Sequence, residues 1–164
     1  MSGFGLNAYR IFVLLLGIWT GSGIHDSVAN HFAWHADPLA YAARPRFEGI
    51  INPWPFSTML LLLATAVAGG VMWRYRGAGR REALIAIVGT ALILVATVAW
   101  FVPELGRMFG DPPMTGVELI SHSRTWISLN AVRIILLIGL FYYGLVSLGR
   151  TVGRGAASDA AGSA

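Results

Sequence analysis

Residues 125–148 read TWISLNAVRIILLIGLFYYGLVSL, an apolar run broken by a single charged residue, Arg133. A helix that spans a bilayer needs about 20 predominantly apolar residues, and this stretch supplies them. Three further runs of the same character precede it, at 6–27, 56–73 and 83–101. One such helix can be buried in a soluble core, but four in 164 residues leave no polar surface to cover that core. Hydrophobic residues make up 55% of the chain, charged residues 12%, and the mean hydropathy is +0.63. The expected fold is therefore all-α: a four-helix transmembrane bundle over residues 1–152, followed by a disordered tail rich in Gly, Ala and Ser at 153–164. Runs two and three are short, so modest tilt is expected of them.

Charge divides the bundle into two unlike ends. All twelve basic residues are Arg. Arg10, Arg74, Arg76, Arg80, Arg81, Arg150 and Arg154 fall on one side of the runs, Arg44, Arg46, Arg107 and Arg124 on the other. The positive-inside rule then places both termini and the 74–82 connection in the cytoplasm, with the long first connection outward. The expected location is the cell membrane as a multi-pass protein, the inner membrane in a Gram-negative source. Trp54, Trp73, Trp100 and Trp126 mark the run ends as interfacial anchors. The arginines flank apolar runs and form no stripe, so nucleic acid is not an expected partner. Arg10 before an apolar segment, with Ser27-Val28-Ala29 after it, has the outline of a cleaved signal peptide. The continuity of the run into His25-Asp26 and its length argue for a retained helix.

The opposite end holds the groups that can do chemistry. His25, His31, His35 and His122, with Asp26, Asp37, Glu48, Glu104, Asp111 and Glu118, all fall there. Arg133 lies about 12 Å into the helix from Thr125, where a guanidinium is costly without a partner and marks a functional site by default. His122, Trp126, Asn130 and Arg133 share one face of a helix that begins early enough to include His122. Ser22, Asp26 and Asn30 share a face of the first helix by i, i+4 spacing, with His25 beside it. Asp26 and Glu104 are the expected counter-charges for Arg133. The candidate catalytic set is thus His25, Asp26, Glu104, His122, Asn130 and Arg133.

His31 and His35, four apart, can share a transition metal, with His25, His122, Asp26, Glu48 or Glu104 as further ligands for Zn, Fe, Mn or Cu. Ordinary interfacial histidines are the plainer reading, and no cofactor follows from the pattern alone. With no Cys there is neither disulfide nor thiol chemistry. No G-x-S-x-G elbow, Walker loop, dinucleotide glycine motif or H-E-x-x-H occurs, so hydrolase and nucleotide-driven readings lack support. Small residues repeat at i, i+4 (Gly17 and Gly21, Ala64 and Ala68, Ala86 and Thr90), a spacing that lets helix backbones approach closely.

Trp126, Asn130 and Arg133 followed by an apolar half-helix, together with Val102-Pro103-Glu104 after run three, resemble a family of small four-helix membrane proteins that includes anthrone oxygenases. These proteins more often place Asn than Glu near that proline. The resemblance implies a membrane-associated oxygenase acting on a hydrophobic aromatic substrate, and transfers no catalytic residue. The expected function is accordingly an outward polar pocket, beneath an aromatic lid at 28–55, that takes a lipophilic small molecule. The alternative is a non-catalytic membrane subunit or assembly factor that docks a partner through the same segment, or a homo-oligomer. An ion path ranks last, because runs two and three offer only Thr58, Thr65, Thr90 and Thr97.

Overall fold

The computed structural model describes residues 3–43, 53–110 and 113–162, the side chains of Pro53 and of 154–162 excepted. Every regular element among them is helical: α1 (Gly3–Asp26), α2 (Phe32–Ala36), α3 (Pro38–Ala42), α4 (Pro53–Arg74), α5 (Arg80–Ala96), α6 (Val102–Phe109) and α7 (Gly116–Gly162). π-helical segments at Ser27–His31 and Thr97–Phe101 join α1 to α2 and α5 to α6. Four stretches are long and apolar enough to cross a membrane: Gly3–Ala36, Trp54–Arg74, Arg80–Phe109 and Gly116–Gly153. This is the expected all-α transmembrane bundle.

Two spans run further than their apolar cores. The first continues through the polar residues 27–31 to Ala36, so residues 28–36, read from sequence as part of a long connection, are helical. Asp37 ends it in extended conformation, as a residue before proline prefers, and its side chain caps α3 by accepting from the Ala40 N–H at 2.9 Å. The third span continues to Phe109 through Pro103. Proline has no N–H to donate, and its ring crowds the carbonyl four residues earlier. The chain accommodates it by widening: the Val102 N–H reaches back to the Thr97 carbonyl, a π-type bond. α7 continues to Gly162, so the backbone of most of the Gly/Ala/Ser-rich tail extends this helix; its side chains lie outside the described ones. Arg44, Arg46, Phe47, Glu48, Asn52 and Asp111 also lie outside the described residues.

The spans pack in a ring, α1 against α4 and α7, and α5 against α4 and α7. Tyr9, Phe12 and Leu16 of α1 meet Leu61, Ala68 and Met72 of α4, Ala83, Ala86 and Leu94 of α5 and Leu137 of α7 in one core. Leu14, Leu63, Leu92 and Ile135 point outward and are well over half exposed, the surface a bilayer would cover. Ala64, Ala68, Ala86 and Thr90 are buried where helices meet, and Gly17 faces Phe141; Gly21 has open space instead of a neighbour.

The arginine-rich end is tied by hydrogen bonds. Ser147 of α7 donates to the Gly79 carbonyl at 2.8 Å, Thr151 to that of Ala78 at 3.3 Å, and Tyr9 to that of Gly144 at 3.4 Å. Arg150 pairs with Glu82. The N-terminal half of α1, the 75–79 turn and the C-terminal half of α7 therefore share one end. Gly79 turns the chain at φ +79°, and an added Cβ there would sit 2.6 Å from the Ser147 carbonyl oxygen. Gly79→Ala is expected to cost about 1–3 kcal/mol through both strains. Gly21→Ala, with nothing within 4 Å of the new methyl, should leave the melting temperature in detergent unchanged or slightly higher. Equal melting temperatures for the two variants would mean that the turn does not dock on α7.

Candidate functional site

α7 carries Trp126, Asn130 and Arg133 inward, spaced four and three apart along one face. Each meets a different partner from the π-helical ends of the other spans. Trp126 donates its indole N–H to the Phe101 carbonyl at 3.1 Å. That oxygen belongs to the widened segment preceding Pro103, so the chain irregularity supplies the acceptor. The Asn130 amide, only 2% exposed, lies with Nδ2 3.3 Å from His31 Nδ1. In this orientation Nδ2 donates, Nδ1 accepts, and the imidazole proton sits on Nε2. Nε2 is 3.5 Å from an Asp26 oxygen, and the other Asp26 oxygen accepts from Asn30 at 2.8 Å. Asp26, His31 and Asn130 thus form a chain from the first span to the fourth.

Arg133 is held differently from expectation. Among the described residues no carboxylate lies within ion-pair distance of it. Asp26 acts on it only as a more distant charge. Instead, Nη1 donates to Thr97 Oγ1 at 3.2 Å, and that hydroxyl donates in turn to the Ile93 carbonyl at 2.8 Å. The guanidinium carbon lies 4.6 Å from the Phe101 ring centre and 5.5 Å from that of Trp19. Each cation–π contact contributes about 0.5–2 kcal/mol. Withdrawing an ion from water costs several kcal/mol, so two rings and one hydroxyl do not offset it. Arg133 Nε is buried without a partner.

It has company in that. Of the six buried side-chain polar atoms without a hydrogen-bond partner among the described residues, five are at this end: Arg133 Nε, Asn130 Oδ1, Trp19 Nε1, Trp34 Nε1 and Ser27 Oγ. They come from the first and fourth spans, which touch one another through Arg133 and Trp19, Asn130 and His31, and Trp126 and Trp34. Buried polar groups in proteins are almost always paired, with protein, water or ligand. Two of the five neighbour Arg133 itself, Asn130 Oδ1 one turn away on α7 and Trp19 Nε1 on a ring beside the guanidinium, an arrangement that suits a polar group held against aromatic rings. Trp34 covers it, its ring 5.1 Å from Trp126, 5.2 Å from Tyr41 and 5.4 Å from Phe109. Within residues 28–43, Trp34 and Tyr41 thus pack at the bundle mouth, while Val28 and Phe32 face outward.

Glu104, expected opposite Arg133, is turned away from it. Its carboxylate is buried against His122 Nδ1, and the second oxygen is 3.7 Å from Arg107. Glu104 and His122 thus make a separate pair linking α6 to α7. His25 is exposed and reaches the Asp26 group only as a nearby charge. His31 and His35 part company, the first buried and the second exposed. Among the described residues no three His, Asp or Glu side chains converge on a metal-sized point; Glu48 lies outside them. Thr97, Trp19 and Phe101 were not anticipated. Thr97 read as one more threonine in an apolar run, and Thr20, Thr65 and Thr90 do spend their hydroxyls on the carbonyl four residues back.

Comparison with protein-family models, curated proteins and solved structures finds no match for this chain. The reading of the site therefore rests on its own geometry. Because no ion pair is broken by its removal, Arg133→Met is expected to leave the melting temperature unchanged or raised. A guanidinium that held the bundle together would instead cost about 3–5 kcal/mol on removal. Thermal unfolding of the two purified proteins distinguishes these outcomes.

Proposed function

We propose that this membrane protein binds a lipophilic small molecule bearing a carbonyl or acidic oxygen, with Arg133 and Asn130 holding that oxygen. The observation that carries the reading is that Arg133 Nε and Asn130 Oδ1, one turn apart on α7, are both buried without a partner, with the Trp19 and Phe101 rings beside the guanidinium. Aromatic walls suit an aromatic ligand, the substrate class that the resemblance to anthrone oxygenases implies. A fixed guanidinium beside the oxygen favours the ligand's deprotonated form, since it meets charge as that charge develops. His31, which contacts both Asn130 and Asp26, is the group placed to exchange a proton with the ligand, and His122 with Glu104 is a second His–carboxylate pair at this end. An oxygenase-like reaction would start from the deprotonated ligand so held.

The competing reading, a small subunit docking a partner through residues 28–55, calls for an unpacked aromatic face. Trp34 and Tyr41 are stacked together, and Trp34 also covers Trp126, which supports the ligand-binding reading. Titration with anthrone-type aromatic carbonyl compounds, read by tryptophan fluorescence in detergent, tests it. Saturable quenching is expected in the wild type, with affinity reduced about 10- to 100-fold in Arg133→Met, the loss of one charge-assisted hydrogen bond. Arg133→Met should also lose the shift in ligand ionisation that the guanidinium causes, read from ligand absorbance, whereas His31→Gln should keep it. Equal affinity in wild type and Arg133→Met would refute the assignment.

A further inference from the structure

The opposite end of the bundle carries a second site of different chemistry. An open groove of about 900 Å³ runs along the start of α5. Arg80 and Arg81 stand at its mouth, and Leu84, Ile85 and Val88 line its length toward the bilayer core. Charge there is uncompensated. Arg74, Arg76, Arg80 and Arg81 lie within eight residues, and none of them forms an ion pair among the described residues. Glu82, the acid beside them, is already taken by Arg150 of α7. Arg80 Nε is buried with no partner, the one such atom among the described residues that is not at the other end of the bundle.

We infer that this groove seats an anionic phospholipid, with its phosphate on Arg80 and Arg81 and its acyl chain along Ile85 and Val88. The guanidinium fork matches phosphate geometry, and clustered arginines beside a span are attracted to an anionic leaflet. The commitment to lipid rather than free phosphate comes from the groove's second half. Leu84, Ile85 and Val88 offer nothing to an inorganic ion, but they continue the line from the charged mouth into the depth an acyl chain occupies. The Glu82–Arg150 pair closes the side of the mouth toward α7, which leaves the lipid to approach from the bilayer. This site is independent of the ligand proposed for Arg133.

The test is a lipid competition on the full chain in detergent. Phosphatidylglycerol, phosphatidylcholine and inorganic phosphate are each added, and bound lipid is read by native mass spectrometry alongside the melting temperature. Phosphatidylglycerol is expected to be retained about tenfold more than phosphatidylcholine and to raise the melting temperature, while inorganic phosphate does neither. The double variant Arg80→Gln, Arg81→Gln should lose that preference. Val88→Trp, which fills the apolar half and leaves the charge in place, should lose retention as well. Equal retention of both lipids by the wild type, which requires no variant, would overturn the proposal. So would an equal response to phosphate alone, or unchanged preference in both variants.

Discussion

A guanidinium within an apolar bundle, with no acid at ion-pair distance among the described residues, is the constraint around which one end of this protein is arranged. Arg133 is reached by a threonine hydroxyl and two aromatic faces, contacts worth less than the solvation they replace. A residue in that position is held by the surrounding fold, not by its own pairing. The π-helical segment Thr97–Phe101 supplies the hydroxyl, one of the rings and the carbonyl that fixes Trp126. A proline, Pro103, sits just beyond that segment and accounts for its widening. In the third span, local backbone irregularity and site geometry therefore have one cause.

The two ends divide the work. At the arginine-rich end, backbone carbonyls of the 75–79 turn are taken by α7 hydroxyls and the exposed charge faces outward along a groove. At the other end, polar atoms are drawn inward and left short of partners. Between them lies a core of Tyr9, Phe12, Leu16, Leu61 and Leu137 in which threonine hydroxyls bond back to their own helices. No ladder of side-chain hydrogen bonds crosses that core among the described residues, which is why the chemistry stays local to its end.

Much of this was legible in the residues. Spans of the observed order follow from apolar run length, and the inward face Trp126, Asn130, Arg133 follows from helical spacing. The Asp26–Asn30 contact is also an i, i+4 consequence. What the spacing does not carry is rotation of one helix against another. Glu104 and Asp26 fall at the same end of the bundle as Arg133, yet the turn of α6 after Pro103 aims Glu104 at His122, and Asp26 goes to His31. His31 and His35 share a helical spacing, but the second follows the change from π- to α-helix and points away. Thr97 was invisible as a partner because its neighbours in sequence are all apolar and its role depends on Arg133 from another span. The extent of the first and third spans was underread for a similar reason, since polar residues at a bundle mouth prolong a helix that hydropathy alone would end.

An experimental structure of the protein in a lipid bilayer, at a resolution that shows ordered water and small molecules, tests the central claim most directly. The account predicts non-protein density within hydrogen-bonding distance of Arg133 Nε and Asn130 Oδ1, enclosed by Trp19, Phe101 and Trp34. An Arg133 side chain turned out to the lipid or paired with a carboxylate, with nothing bound beside Asn130, would contradict it.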